Sequence, residues 1–326
     1  MEQTPPYTPY KETQNITFDN IVTKSEKMRK IFELAKTVSE SEINVLINGE
    51  TGTGKEILAR AIHNNSQRKD GPFVVINCAG IPDTLLESEL FGHEKGAFTD
   101  ASRKKIGKFE LARNGTLFLD EVGDLSQNSQ PKILRAIEDK RFDRLGGEEP
   151  VETNCRIISA TNKDLSEEIK NGRFREDLYY RLCETRFLLP SLRERPEDIP
   201  LLVNHFIQEF NKKLNKNVEG ASDVVQAYLQ RYNWPGNIRE LKSIIKIGMT
   251  LIEHDRMWME DLPFNVEIIS EEKRENLGEN LSLEENEKNH ILSVLSHTQG
   301  NKLKAAQLLK ISRPTLDRKI SKYNIN

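Results

Sequence analysis

The sequence predicts an α/β domain built on a parallel sheet with helices on both faces, followed by a small all-α domain and a C-terminal helix-turn-helix. Three observations carry this. Between Phe18 and Leu189, short unbroken apolar runs alternate with stretches of helical spacing. From "PSLRERPEDIP" onward the strand signals stop, and the last thirty residues turn basic within a compact helical pattern. Strands that are apolar on both faces need cover on both faces, which is the situation of a parallel sheet between helices.

In chain order, residues 1–17 are polar and proline-rich, unlike a signal peptide, and read as a disordered leader or the remainder of a missing regulatory region. The runs "INVLIN" (43–48), "FVVIN" (73–77), "GTLFLD" (115–120), "RIISAT" (156–161) and "RFLL" (186–189) are the expected strands of a domain spanning 18–190. Apolar spacings of three and four recur in 197–214, 221–232 and 237–253, which predicts the helices of an all-α domain over 191–265. Residues 266–287 hold eight glutamates against one lysine and one arginine, so 266–281 is expected to be a solvated acidic linker. The remainder, 282–326, reads as three short helices. Ile291, Leu292 and Leu295 share a face, Ala305 and Ala306 permit close packing, and Ser312 before Arg313-Pro314 is a good helix start.

With 48 Lys+Arg against 51 Asp+Glu the chain is no polycation, so any nucleic-acid surface must be local. The tail provides one: 297–326 carries seven Lys/Arg and one acidic residue. A short turn followed by a basic helix is the layout of a DNA-reading helix-turn-helix, bringing Arg313, Thr315, Arg318 and Lys319 toward a major groove of double-stranded DNA. The three cysteines, Cys78, Cys155 and Cys183, lack metal or CxxC spacing and read as reduced thiols. No apolar run approaches the roughly 20 residues that span a bilayer. A cytoplasmic protein with no membrane partner is expected.

Gly49 to Lys55 satisfies G-x-x-x-x-G-K directly after an apolar strand and before a helical pattern. Glycines at 49, 52 and 54 let the loop Gly49, Glu50, Thr51, Gly52, Thr53, Gly54 curl with its N–H groups toward phosphate. The following helix adds its positive end, and Lys55 reaches the β and γ phosphates of ATP. "GTLFLDE" ends a strand in two carboxylates. Asp120 is placed to support Mg²⁺ through its water shell, and Glu121 to orient or deprotonate the attacking water. Glu56, counted with the loop among the nucleotide-binding residues, stands where such loops usually carry a magnesium-binding hydroxyl; phosphates, waters and Asp120 can complete an octahedral metal without that hydroxyl.

The spelling "GETGTGKE" resembles that of the AAA+ activators of sigma-54 RNA polymerase, the bacterial enhancer-binding proteins, and the resemblance runs from Phe18 to Asn326. Its most diagnostic stretch is "ELFGHEKGAFTDA" (89–101), similar to the family's insertion ending in GAFTGA, which touches sigma-54. Gly96, Ala97, Phe98, Thr99 and Ala101 match, and Asp100 replaces a glycine. The resemblance implies further roles. "RFDRLGGEE" (141–149) would be the second pore-side loop. Thr161 and Asn162 would be sensor I, Arg175 and Arg181 arginine fingers acting on a neighbouring subunit, and Arg239 in "NWPGNIRELKS" sensor II. Asn77 would be the switch asparagine for Glu121, and Ile21 and Val22 would lie against adenine, with Thr23 where glycine is common. The tail resembles the Fis-type DNA-binding domain, with Lys310 at a turn position where glycine is frequent.

These implications describe an ATPase that binds upstream enhancer DNA, assembles with itself into a ring, expected to be a hexamer, and remodels the sigma-54 RNA polymerase holoenzyme. Two other readings stay open. One is a DNA-binding regulator whose AAA+ module oligomerises without engaging sigma-54. The other, an unfoldase or clamp loader, explains neither the 89–101 insertion nor the basic tail. Residues 1–17 are too few to be read as a regulatory domain, so the expectation is control by a separate inhibitor, constitutive activity, or that these residues are a fragment of a longer protein.

Overall fold

The computed structural model describes residues 16–98, 101–263, 287–288, 291, 294–295, 298, 301–309 and 311–323. The chain divides into two units, Met1–Pro263 and Phe264–Asn326.

In the first unit α1 (Glu26–Ser39) leads into β1 (Val45–Asn48), and β1 into α2 (Lys55–Asn64); β2 (Phe73–Asn77) and α3 (Asp83–Phe91) follow. A short antiparallel pair, β3 (Gly92–His93) and β4 (Lys105–Ile106), frames the 89–101 insertion, and α4 (Lys108–Leu111) returns the chain to β5 (Thr116–Asp120). After α5 (Ser129–Glu138) comes a second antiparallel pair, β6 (Arg141–Asp143) and β7 (Pro150–Glu152). Next are β8 (Arg156–Thr161), α6 (Leu165–Lys170), α7 (Glu176–Leu182) and β9 (Thr185–Leu188). The five main strands form one sheet in the order β2-β5-β8-β1-β9, parallel throughout.

All five expected strands are present. The first begins at Val45 rather than Ile43: the Asn44 N–H donates to the Glu184 carboxylate and its Nδ2 to the Arg181 carbonyl, although the Asn44 carbonyl still accepts from the Thr185 N–H at 3.2 Å. The last is shifted one residue earlier, with Thr185 opposite Val45. Period-two alternation splits the strands between two cores. Leu46, Leu117, Leu119 and Ile157 pack with Leu86, Leu90, Ile133 and Leu178. Val45, Ile47, Phe118 and Ile158 pack with Met28, Phe32, Leu58 and Ile62. Burial of the strands on both faces is what made them continuous apolar runs in the sequence.

The all-α region holds α8 (Ile199–Leu214), α9 (Asp223–Arg231) and α10 (Asn237–Leu251), with a small parallel pair that the sequence did not announce, β10 (Gly220–Ala221) and β11 (Arg256–Met257). Two-residue strands are too short for a hydrophobic period to show. Trp234, fully buried, fastens the turn before α10 by donating from Nε1 to the Leu229 carbonyl at 2.8 Å.

Two expectations at the edges need correction or fall outside the description. Ile16 and Thr17 are not part of a loose leader: the Ile16 carbonyl accepts from Asn64 Nδ2 at 2.7 Å, tying it to α2. The rest of the leader and the 266–281 linker lie outside the described residues. In the second unit, α11 (Lys302–Leu308) and α12 (Arg313–Lys322) pack around Ile291, Ala305, Ala306 and Leu316. Leu292 and Lys310 lie outside the described residues.

Candidate functional site

The phosphate loop leaves β1 at Gly49, whose N–H donates to the Thr161 carbonyl on β8 at 3.2 Å. Gly52 and Gly54 sit at φ +81° and +105°, the left-handed region that glycine enters without steric cost. At Gly52 the packing is also decisive: a Cβ there would lie 2.3 Å from the Gly236 carbonyl oxygen. Lys55, buried at the start of α2, donates from Nζ to the Gly49 carbonyl at 2.9 Å and pairs with Glu121 Oε1 at 3.2 Å.

Asp120 ends β5 and Glu121 follows it directly. Burial, and then the neighbouring Glu121 charge, push the Asp120 carboxyl above the usual carboxylate range. A cation beside it would relieve both effects. No cluster of three or more His, Cys, Asp or Glu able to hold a metal occurs among the described residues. Asp120, a partly buried carboxylate beside the phosphate loop, is a hard oxygen donor of the kind Mg²⁺ takes directly or through water. Glu121 adopts φ +53°, a sparsely populated conformation for a non-glycine residue that is typical of functional positions. Its Oε2 accepts from the Asn162 N–H at 3.0 Å, and Asn162 Nδ2 reaches Thr51 Oγ1 at 3.3 Å. Of the expected sensor I pair, Asn162 therefore faces the site. Thr161 is fully buried, its hydroxyl accepting from the Lys163 N–H at 3.1 Å.

Two expected site residues make other contacts. Glu56 is exposed and its carboxylate holds Arg60 at 2.6 Å one helical turn away, while its charge adds to the upward push on the Asp120 carboxyl. Asn77 stands opposite Asp120 in the sheet register, but its Oδ1 caps the Ala79 N–H at 2.8 Å, while Glu121 is engaged by Lys55 and Asn162. The switch contact with Glu121 is not formed in this conformation.

A cavity of about 950 Å³ opens beside the loop, lined among others by Ile21, Val22, Gly54, Ile57 and Ile238. This is where the expected adenine-side residues lie. Thr23 has a definite task here: its hydroxyl donates to Asp198 Oδ2 at 2.7 Å, and the same buried carboxylate takes the Ser25 N–H at 3.0 Å. Asp198 pins the base-side segment to the entrance of α8.

Arg239 is exposed, on the first turn of α10, its Cβ 3.1 Å from the position a Gly52 Cβ would take. Sequence reasoning missed its neighbours Arg193 and Asn237. Arg193 forms a forked pair with the Glu50 carboxylate, and Asn237 donates to both Glu50 Oε2 and the Thr51 carbonyl at 3.1 Å. Asn237 lies inside the quoted "NWPGNIRELKS", yet a buried amide leaves no spacing pattern to single it out. Arg175 and Arg181 lie at the two ends of α7. Arg175 is exposed and paired with Asp177 at 2.6 Å; Arg181 is half-buried, its Nε enclosed without a hydrogen-bond partner.

The insertion is a built structure. Gly92, at φ +75°, and Gly107 let its two ends cross, since a Cβ on Gly107 would meet the Gly92 nitrogen at 2.5 Å. Gly96 N–H to Ala101 O at 2.8 Å and Ala101 N–H to Phe98 O at 2.9 Å close the turn; Thr99 and Asp100 lie outside the described residues. Phe98 is 39% exposed and rests edge-on against the His93 ring, centroids 4.9 Å apart. The 141–149 loop is joined to it: Glu94 N–H donates to Leu145 O, and Leu145 N–H to Gly92 O, each at 3.0 Å. Arg144 bridges Glu94 at 3.1 Å and Glu110 at 2.7 Å.

In the C-terminal unit, Ser312 caps α12 by accepting from the Thr315 N–H. Arg313 and Arg318 are exposed. Thr315 is half-buried with its hydroxyl on Ser312 Oγ at 2.7 Å, and Lys319 is half-buried against Glu287. Of the expected four, Arg318 is exposed and Arg313, also exposed, lies 4.0 Å from the Asp317 carboxylate, while Thr315 and Lys319 flank the buried Leu316 and make local contacts with Ser312 and Glu287.

A parallel sheet in this strand order, a phosphate loop, paired acids and a helical lid closed on that loop define a AAA+ P-loop ATPase module, joined to a helix-turn-helix. The Sigma-54 interaction domain family matches residues 21–187, the AAA+ ATPase lid domain 193–278, and the Bacterial regulatory protein, Fis family, 282–323. The chain belongs to the sigma-54 interaction family. It is 44% identical to the phenol regulator MopR of Acinetobacter guillouiae over 95% of its own length but 57% of that protein's. Against the regulatory protein AtoC of Escherichia coli it is 43% identical, covering 94% of this chain and 68% of AtoC. The structure of NtrX from Brucella abortus in complex with ADP superposes with a TM-score of 0.70 at 33% identity, over 94% of this chain and 70% of that one. The chain thus spans a little over half to about two thirds of these relatives.

Proposed function

We propose that this protein is an ATP-dependent transcriptional activator that binds upstream DNA, assembles into a ring and uses ATP hydrolysis to remodel the sigma-54 RNA polymerase closed complex. The observation that carries the reading is the joint presence of the Lys55–Glu121–Asn162 cluster and an insertion that presents Phe98 on a braced turn. Lys55 and the loop N–H groups hold the phosphates. Glu121, oriented by Asn162, positions and deprotonates the attacking water. Asp120 would hold a magnesium ion, which would supply positive charge against the transferring phosphates. Arg175 and Arg181 act on the nucleotide of a neighbouring subunit, where a guanidinium suits the charge of the transferring group. Arg144 couples the two loops, so that movement near the nucleotide is passed to Phe98.

The reading is tested by open-complex formation on a sigma-54 promoter with purified holoenzyme. ATP should open the promoter and ADP should not. Promoter opening that is indifferent to the nucleotide would overturn it, as would ATP turnover with no opening at all.

A further inference from the structure

Four consecutive residues of the phosphate loop are bonded outward to the helical lid. The Glu50 carboxylate takes the Arg193 fork and Asn237 Nδ2, and the Thr51 carbonyl takes Asn237 Nδ2 at 3.1 Å. The Gly52 carbonyl accepts from the Ile238 N–H at 3.0 Å, and the Thr53 carbonyl from Arg195 Nη2 at 2.8 Å. Asn237 is the centre of this seam. It is fully buried, its Oδ1 accepts from the Leu192 N–H at 2.7 Å, and one side chain therefore joins the loop to both lid segments. Its φ is +53°, and that of Trp234 is +52°, so two non-glycine residues within four hold left-handed backbone where the lid meets the loop. Such strain persists only where the surroundings over-determine it.

A phosphate loop binds anions with its N–H groups, so its carbonyls must be turned away from the ligand. Here the groups that hold them away belong to the lid. We propose that Asn237, with Glu50 and Arg193, is a positioning device: the lid sets the phosphate loop in its anion-binding conformation through this seam. Lid orientation and triphosphate affinity are then linked reciprocally. This inference rests on the ATP-binding reading above.

The test measures binding of ATP and of adenosine, which lacks phosphates, to the full chain, together with hydrogen exchange at the start of α10. Asn237→Ala should weaken ATP roughly tenfold, the equivalent of one to two lost hydrogen bonds, while adenosine binding changes less than about threefold. ATP should protect the first turn of α10 from exchange in the parent protein and not in the variant. Should Asn237→Ala fold poorly, Glu50→Arg and Arg193→Glu, singly and together, give the same answer from the exposed side. Each single change should weaken ATP, and the pair should recover the part carried by the ion pair, the Asn237 amide having lost its Glu50 acceptor. Equal loss of ATP and adenosine, unaltered ATP affinity, or no recovery in the pair would each overturn the proposal. A parent protein that binds no ATP would instead remove the ATPase reading itself.

Discussion

Glu121 and Lys55 face each other across 3.2 Å, the carboxylate at the end of one strand against the ammonium at the start of the helix that follows another. The pair divides two tasks that a single substitution can separate. Lys55→Ala removes the cation from the phosphate cradle and should lower ATP affinity by about tenfold to a hundredfold, the range of a lost charge-assisted hydrogen bond. Glu121→Gln leaves the loop intact and removes the base. It should bind ATP within a few-fold of the parent and turn it over about 10²- to 10⁴-fold more slowly. Equilibrium binding and steady-state phosphate release check both, and equal loss of binding in the two variants would contradict the assignment.

His63 supplies a pH dependence unrelated to catalysis. It is buried on α2 with Nδ1 on the Thr116 hydroxyl at 2.9 Å, and burial, with Arg60 and Arg156 nearby, pushes its pKa down from 6.5 to about 4. The unfolded chain then binds the extra proton first as pH falls. Stability attributable to neutral His63 is complete above about pH 6.5 and is lost as pH falls toward 4, up to about 3 kcal/mol in all. His63→Gln should flatten that part of the profile. Urea midpoints at pH 7 and pH 5 for parent and variant measure it, and parallel slopes would show that another group is responsible.

The sheet was legible because each central strand is buried on both faces and so spells a continuous apolar run. The phosphate loop was legible because its glycines and lysine are fixed by backbone geometry. Asn237 and Arg193 were not. Their roles come from where the lid closes on the loop, a contact between residues 187 and 143 positions apart in the pairs Asn237–Glu50 and Arg193–Glu50. Lys319 stood out for the opposite reason. A basic residue on a basic helix looks functional in one dimension, whereas Glu287 engages it in three.

That revision changes what the DNA-binding tail should do under mutation. Arg313 and Arg318 are exposed on α12, so Arg313→Ala or Arg318→Ala should weaken site-specific binding by about 1–3 kcal/mol if the arginine reads a base edge. Lys319→Ala should weaken specific and non-specific DNA alike, or leave both unchanged, because Glu287 already occupies it. Footprinting and competition at two salt concentrations distinguish these. Greater loss of specificity from Lys319→Ala than from either arginine would return Lys319 to the reading face.

The braced insertion gives the prediction that separates a sigma-54 activator from a DNA binder that only hydrolyses ATP. Phe98 is 39% exposed and makes one aromatic contact, edge-on to His93, so it contributes little to the fold; removing such a pair costs on the order of 1 kcal/mol. Phe98→Ala should therefore melt within a few degrees of the parent and retain its ATP turnover and DNA affinity. It should nevertheless lose promoter opening, because a half-exposed aromatic on a turn is the kind of anchor that dominates a small protein contact. Arg144→Ala is the companion test. It leaves Phe98 in place but releases the bridge to Glu94 and Glu110, so contact with sigma-54 should survive while its dependence on nucleotide fades. Cross-linking the nucleotide-trapped protein to sigma-54 and then scoring open promoter DNA reads the two steps separately. Normal promoter opening by Phe98→Ala would exclude this loop as the working contact, and unchanged nucleotide dependence in Arg144→Ala would exclude the bridge as its linkage to the ATP site.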